Sequence, residues 1–155
     1  MYLLFIMQLL QNTVINTTFG FFAGIMVYFK YIGILKSNLD HMLAVLAIFV
    51  SVLLLFFKSI WALDLAHFLY CVVYLFTVSF LSKNSYLLGL NVLMIGLIIF
   101  TRYYYGVCIL NKKQKNKGFF TDLNSIVKIY VSFWNWDYIF PLLFIVSSYK
   151  FIKHI

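Results

Sequence analysis

The sequence predicts an all-α, polytopic membrane protein with four transmembrane helices and a C-terminal segment that is membrane-associated or a fifth helix. Three observations predict it. Hydrophobic residues make up 65% of the 155 positions and charged residues 10%, against about 45–50% and about 25% in soluble globular domains. A domain of this size leaves about a third of its extended-chain surface exposed, and the polar residues here are too few to cover that. The apolar stretches are also long and continuous, whereas a membrane barrel strand alternates. No internal repeat or soluble module interrupts them, so residues 1–155 read as one membrane domain.

Each element follows from the length an apolar helix needs, about 20 residues for a hydrocarbon core of about 30 Å. The first span is expected over about 14–35, ending at Lys30 and Lys36. Ser37-Asn38-Leu39-Asp40 then offers helix caps. The second span, about 42–61, contains the run MLAVLAIFVSVLLLFF, and Lys58 can reach outward from its end. The third, about 65–82, is shorter. Ser82-Lys83-Asn84-Ser85 is a tight polar turn before the fourth, about 86–106, which closes on Arg102 and Tyr103-Tyr104-Tyr105. A basic loop, 107–128, comes next with Lys112, Lys113, Lys115 and Lys117. The last segment, about 129–149, is long enough to span. It carries Asp137 in its middle and Pro141, while Trp134 and Trp136 favour the headgroup level.

The charge pattern excludes some partners. Eleven Lys and one Arg face four Asp and no Glu, a net charge of +8. Most of the Lys residues sit beside apolar runs, where they mark topology and contact with anionic lipid and not a nucleic-acid surface. Counting positive charges puts the Lys112 to Lys128 region on the matrix or cytoplasmic side, together with the N-terminus. The first 29 residues are uncharged, so neither a secretory signal nor a transit peptide is expected there. Few Ala, Gly and Pro beside eighteen Phe and twelve Tyr suggest an A+T-rich, organelle-type coding sequence.

Residues that might carry chemistry are few. An ionisable group inside a membrane helix is costly and is a functional hypothesis by default. Asp64 and His67, spaced i, i+3, and Asp137 are therefore weak proton-path candidates. The competing expectation puts Asp64 at a helix N-terminus favoured by the dipole and Asp137 at the interface. Asp40 and His41 read as capping residues. His41 and His67 are the only histidines placed for axial haem ligation, and both lie near segment ends, so no cofactor is expected. Cys71 and Cys108, in separate apolar stretches, read as buried thiols without metal-ligand spacing. No catalytic or metal site is expected, since triads, phosphate loops and metal signatures are absent from the sequence. Gly20 and Gly24 form a GxxxG helix-packing pattern, and Asn91 is placed to hydrogen-bond between helices.

Two stretches resemble one family. The run Gly33-Ile34-Leu35-Lys36-Ser37-Asn38-Leu39-Asp40-His41-Met42-Leu43 is similar to the first turn and second-helix opening of NADH dehydrogenase subunit 4L, a small membrane subunit of respiratory complex I. Ile95-Gly96-Leu97-Ile98-Ile99-Phe100, leading into Arg102-Tyr103-Tyr104-Tyr105, resembles the end of that family's last helix. The resemblance implies a subunit of a proton-pumping NADH:ubiquinone oxidoreductase in the mitochondrial inner membrane, with other membrane subunits and lipid as partners. The family's membrane-embedded Glu positions fall on Ala47 and Val92, so no proton-carrying role transfers to this chain. An accessory scaffold subunit of a respiratory complex or ATP synthase is the alternative expectation, and the membrane anchor of succinate dehydrogenase is a further one.

Overall fold

A computed structural model describes residues 2–57, 59–105 and 135–155. Among them every element is helical and no strand occurs. Five helices occur in order: α1 Tyr2–Tyr31, α2 Asn38–Phe56, α3 Ile60–Leu81, α4 Ser85–Tyr105 and α5 Trp136–His154. Three stretches are long and apolar enough to cross a membrane, Asn38–Phe56, Ile60–Leu81 and Ser85–Tyr104. The expected first span, 14–35, falls largely within α1, which is not one of those three. The basic loop and residues 129–134 lie outside the described residues.

Local chemistry sets the ends of the helices. At the end of α1 the Ile34 amide donates to Phe29 O at 3.1 Å and the Gly33 amide to Lys30 O at 3.4 Å. This pair of bonds is a Schellman stop, and it needs a left-handed residue between helix and turn. Gly33 supplies it with φ +73°. Ser37 then caps α2, accepting from the Asp40 amide at 3.1 Å, while the Asp40 carboxylate accepts from the Ser37 amide at 3.2 Å. That reciprocal pair satisfies two amides the helix start leaves unbonded. Ser59 caps α3, Asn84 caps α4 and Asn135 caps α5.

The α2 stripe Asp40, Leu43, Ala44, Ala47, Val50, Ser51 and Leu54 is buried at helical spacing. Its small residues let α1 and α3 lie close on either side. Helix α3 is interrupted by a π-helical turn, Leu69–Tyr74, where the Leu75 amide reaches back to Tyr70 O. One residue inserted into an α-helix rotates the residues beyond it by about 100°. Ala62, Leu63 and Ala66 are buried before the turn, and Leu75, Val78 and Ser79 after it. Within the turn Tyr70 and Tyr74 meet Phe19 and Phe22 of α1, with Phe19–Tyr70 centroids at 5.2 Å and Phe22–Tyr74 at 5.4 Å, both edge-to-face.

Short turns make successive helices run in opposite directions. Asn84, before α4, donates through Nδ2 to Ile34 O at 3.1 Å, so the α1–α2 and α3–α4 turns share one end of the bundle. Arg102 of α4 bonds Asp137 of α5 at the other end. Helix α5 therefore runs back along α4, and it continues through Pro141 instead of being broken there. The two lie close: a Cβ built on Gly89 would sit 2.9 Å from the Phe151 ring. We expect Gly89→Val to lower the melting temperature of the detergent-solubilised protein, at a cost of about 1–3 kcal/mol. Phe151→Ala in the same chain should recover part of the loss, because it vacates the space the new side chain needs.

Candidate functional site

The polar residues of an apolar bundle show where it can do more than pack, and three groups stand out. The deepest joins three helices. Asn91 of α4 donates through Nδ2 to Ser79 Oγ of α3 and Ser147 Oγ of α5, each at 3.0 Å. The Ser147 hydroxyl donates to Ser79 Oγ at 2.8 Å, and Ser79 donates to Leu75 O of its own helix at 2.7 Å. All three side chains have no exposed surface. The π-turn puts Ser79 there, since it rotates the second half of α3 toward α4 and α5. Asn91 Oδ1 and the Tyr74 hydroxyl are enclosed without a hydrogen-bond partner among the described residues. Such a group wants a donor or an ordered water. This cluster has no group that titrates near neutral pH, so what it can do chemically is fix helix positions and hold water.

The second group ties the turns at one end. The Asp40 carboxylate accepts from the Lys36 and Ser37 amides at 3.3 and 3.2 Å and from Asn84 Nδ2 at 3.2 Å. Asn84 works in both directions, because its Oδ1 accepts from the Tyr86 and Leu87 amides at the α4 start. Capping is the role the sequence predicts for Asp40. Its bond to a turn 44 residues away is not predicted. His41, beside it, is exposed.

At the opposite end Arg102 Nε donates to Asp137 Oδ1 at 3.2 Å, and its Nη2 bonds the same oxygen. The Arg102 guanidinium also lies 5.7 Å from the Phe140 ring centroid. Asp137 is thus not in the middle of its segment. Helix α5 begins only at Trp136, capped by Asn135 Oδ1 on the Asp137 amide at 3.0 Å, which leaves Asp137 exposed in the first turn.

Asp64 also departs from its simpler expectation. It is the fifth residue of α3, past the first turn, and only 2% exposed. His67 is half-buried one turn further along the same helix. His41 stands in the first turn of α2, whereas His67 is eight residues into α3 and so not near a segment end as the sequence suggests. Cys71 is buried in the π-turn, and Cys108 lies outside the described residues.

Among the described residues, a Cβ on Gly20 or Gly24 meets nothing within 4 Å, so no described helix lies close against the GxxxG face. Helix α1 packs instead through Phe19, Phe22 and Met26, which bury far more apolar surface than two glycines. Asn91 does bond between helices, but sequence spacing does not single out its partners Ser79 and Ser147. The available signal is a hydroxyl in an otherwise apolar helix. It is a faint one, because Ser51 looks the same and only back-bonds to Ala47 O at 2.8 Å.

The described residues thus form a helical bundle with three helices long and apolar enough to cross a membrane, whose deepest polar cluster joins helices. No protein-family model, curated protein or solved structure matches it.

Three predictions follow from this geometry. Asn91→Ala should destabilise the bundle by about 0.6–2 kcal/mol, the range of interhelical hydrogen bonds in membranes. A double-mutant cycle of Asn91→Ala with Ser147→Ala, read by thermal unfolding in detergent, should be non-additive by at least about 0.5 kcal/mol. Gly20→Ala with Gly24→Ala should leave stability equal or raise it by about 0.5–1 kcal/mol per site, from helix propensity in open space.

Proposed function

We propose that the chain is an integral membrane protein with α1 to α4 as four crossings and α5 packed alongside them, serving as a non-catalytic subunit of a larger membrane complex. The outer face carries the reading: Phe21, Phe49, Phe56, Leu93, Phe100 and Ile145 are all exposed large apolar side chains. Water does not tolerate such a surface over a whole bundle, whereas lipid tails and neighbouring apolar helices do. The Ser79, Asn91 and Ser147 side chains join three helices, which suits a part that holds shape inside an assembly.

Within that class the assembly we propose is a respiratory-chain complex of the mitochondrial inner membrane, with NADH:ubiquinone oxidoreductase favoured by the two stretches similar to subunit 4L. A scaffold role within it is favoured over a proton-carrying one by specific positions. Ala47 is buried and Val92 half-buried where that family carries Glu. Asn91, beside Val92, is committed to two serines. Asp137 is paired with Arg102 at the bundle end, where a carboxylate is a tether and not a relay.

The chain should stay in the membrane pellet after alkaline carbonate extraction. On native gels of gently solubilised membranes it should run with a high-mass species bearing NADH dehydrogenase activity. Release into the supernatant would refute membrane insertion, and migration as a lone 18.3 kDa species would refute the subunit reading. Asp137→Asn should leave proton pumping by the assembled complex unchanged.

A further inference from the structure

We infer that the end of the bundle where α3 stops and α5 leaves the apolar layer binds an anionic lipid headgroup between Lys83 and Lys150. The inference rests on the membrane reading above and adds a specific ligand class and site to it. Lys150 lies just beyond the apolar stretch that ends at Tyr149. Its Nζ donates to Phe80 O at 2.9 Å, one of the carbonyls a helix C-terminus leaves unbonded. That bond uses one of three ammonium donors and leaves two for a ligand.

Lys83 stands three residues after Phe80, in the turn. Burial lowers the Lys150 pKa, and the charge of Lys83 lowers it further. A C-terminal cap accounts for Lys150 alone. The second cation placed against it works against that cap, and an anion held between the two reverses the conflict. The protein does not supply that anion from Asp40, the one described acid at this end, which already accepts from the Lys36 and Ser37 amides and Asn84. Lys153, one turn beyond Lys150, adds a third positive charge at the same end.

The surroundings select a lipid and not a soluble anion. Phe80 and Leu81 are exposed apolar side chains at the last turn of α3, and Tyr86 and Tyr149 are exposed aromatics at the same level. Acyl chains suit the first pair, and the headgroup boundary suits tyrosine. A phosphate at that depth has its charge beside both ammonium groups and its chains along α3.

Reconstitution of the full chain into nanodiscs, with native mass spectrometry of retained lipid, tests this with dioleoylphosphatidylglycerol and dioleoylphosphatidylcholine at equal mole fraction. The expected result is enrichment of phosphatidylglycerol on the order of tenfold for a lysine pair at the surface. Enrichment should fall to parity in Lys83→Gln/Lys150→Gln and persist in Lys83→Arg/Lys150→Arg. Equal retention of the two lipids by the unaltered chain, or undiminished enrichment in the Gln variant, would overturn the inference. So would thermal stabilisation by 10 mM inorganic phosphate (about the upper end of ordinary buffer use) matching that by phosphatidylglycerol, since the site would then take a soluble anion. Failure of the chain to enter nanodiscs at all would instead overturn the membrane reading.

Discussion

The structure depends on the rule that polar groups inside an apolar layer must satisfy one another. The Ser79 and Ser147 hydroxyls and the Asn91 Nδ2 group obey it by meeting where α3, α4 and α5 converge, while Asn91 Oδ1 is left for an ordered water. Apolar packing between helices is weakly directional in a lipid setting, because lipid tails are as apolar as Leu. A hydrogen-bonded triad is different: it is satisfied in one register and unsatisfied in the others. It therefore fixes how far α4 and α5 slide past α3, while the Gly89–Phe151 contact fixes how close α4 and α5 lie.

The π-turn is what lets one helix serve two neighbours. Before it, α3 faces α2, and at the turn Tyr70 and Tyr74 meet the Phe19 and Phe22 rings of α1. After it, Ser79 faces the polar cluster. A regular helix would present one stripe throughout, and a straight stripe cannot serve partners on different sides. The turn also leaves the Tyr74 hydroxyl enclosed without a protein partner among the described residues. Local departures of this kind collect where a helix has a job besides packing.

The two ends of the bundle are built differently, and the difference bears on function. One end is closed by Asn84 bridging to the α1–α2 turn, with Lys30, Lys36, Lys83, Lys150 and Lys153 around it. The other is tied by Arg102 and Asp137. Among the described residues the first end therefore carries most of the unpaired positive charge.

The all-helical class was determined by composition, because a chain so apolar has few other ways to satisfy its backbone. The Ser37–Asp40 cap and the polar turn holding Asn84 were legible as well, since these residues act on amides within a few positions of where they stand. Helix boundaries were less legible: Ser59 and Asn135 cap α3 and α5, but each is one of several polar residues at the segment ends and sequence alone did not single it out. Which side chains meet was decided only by tertiary structure. Asn91 advertised itself as an amide in an apolar run, but Ser79 and Ser147 acquired their roles from a change of helical phase upstream and from the return of α5 along α4. Gly20 and Gly24 carry a packing pattern, and among the described residues it is the aromatic side chains Phe19 and Phe22 of the same helix that meet neighbours. Sequence periodicity specifies which face of a helix is apolar, and only the arrangement of all the helices specifies what that face touches.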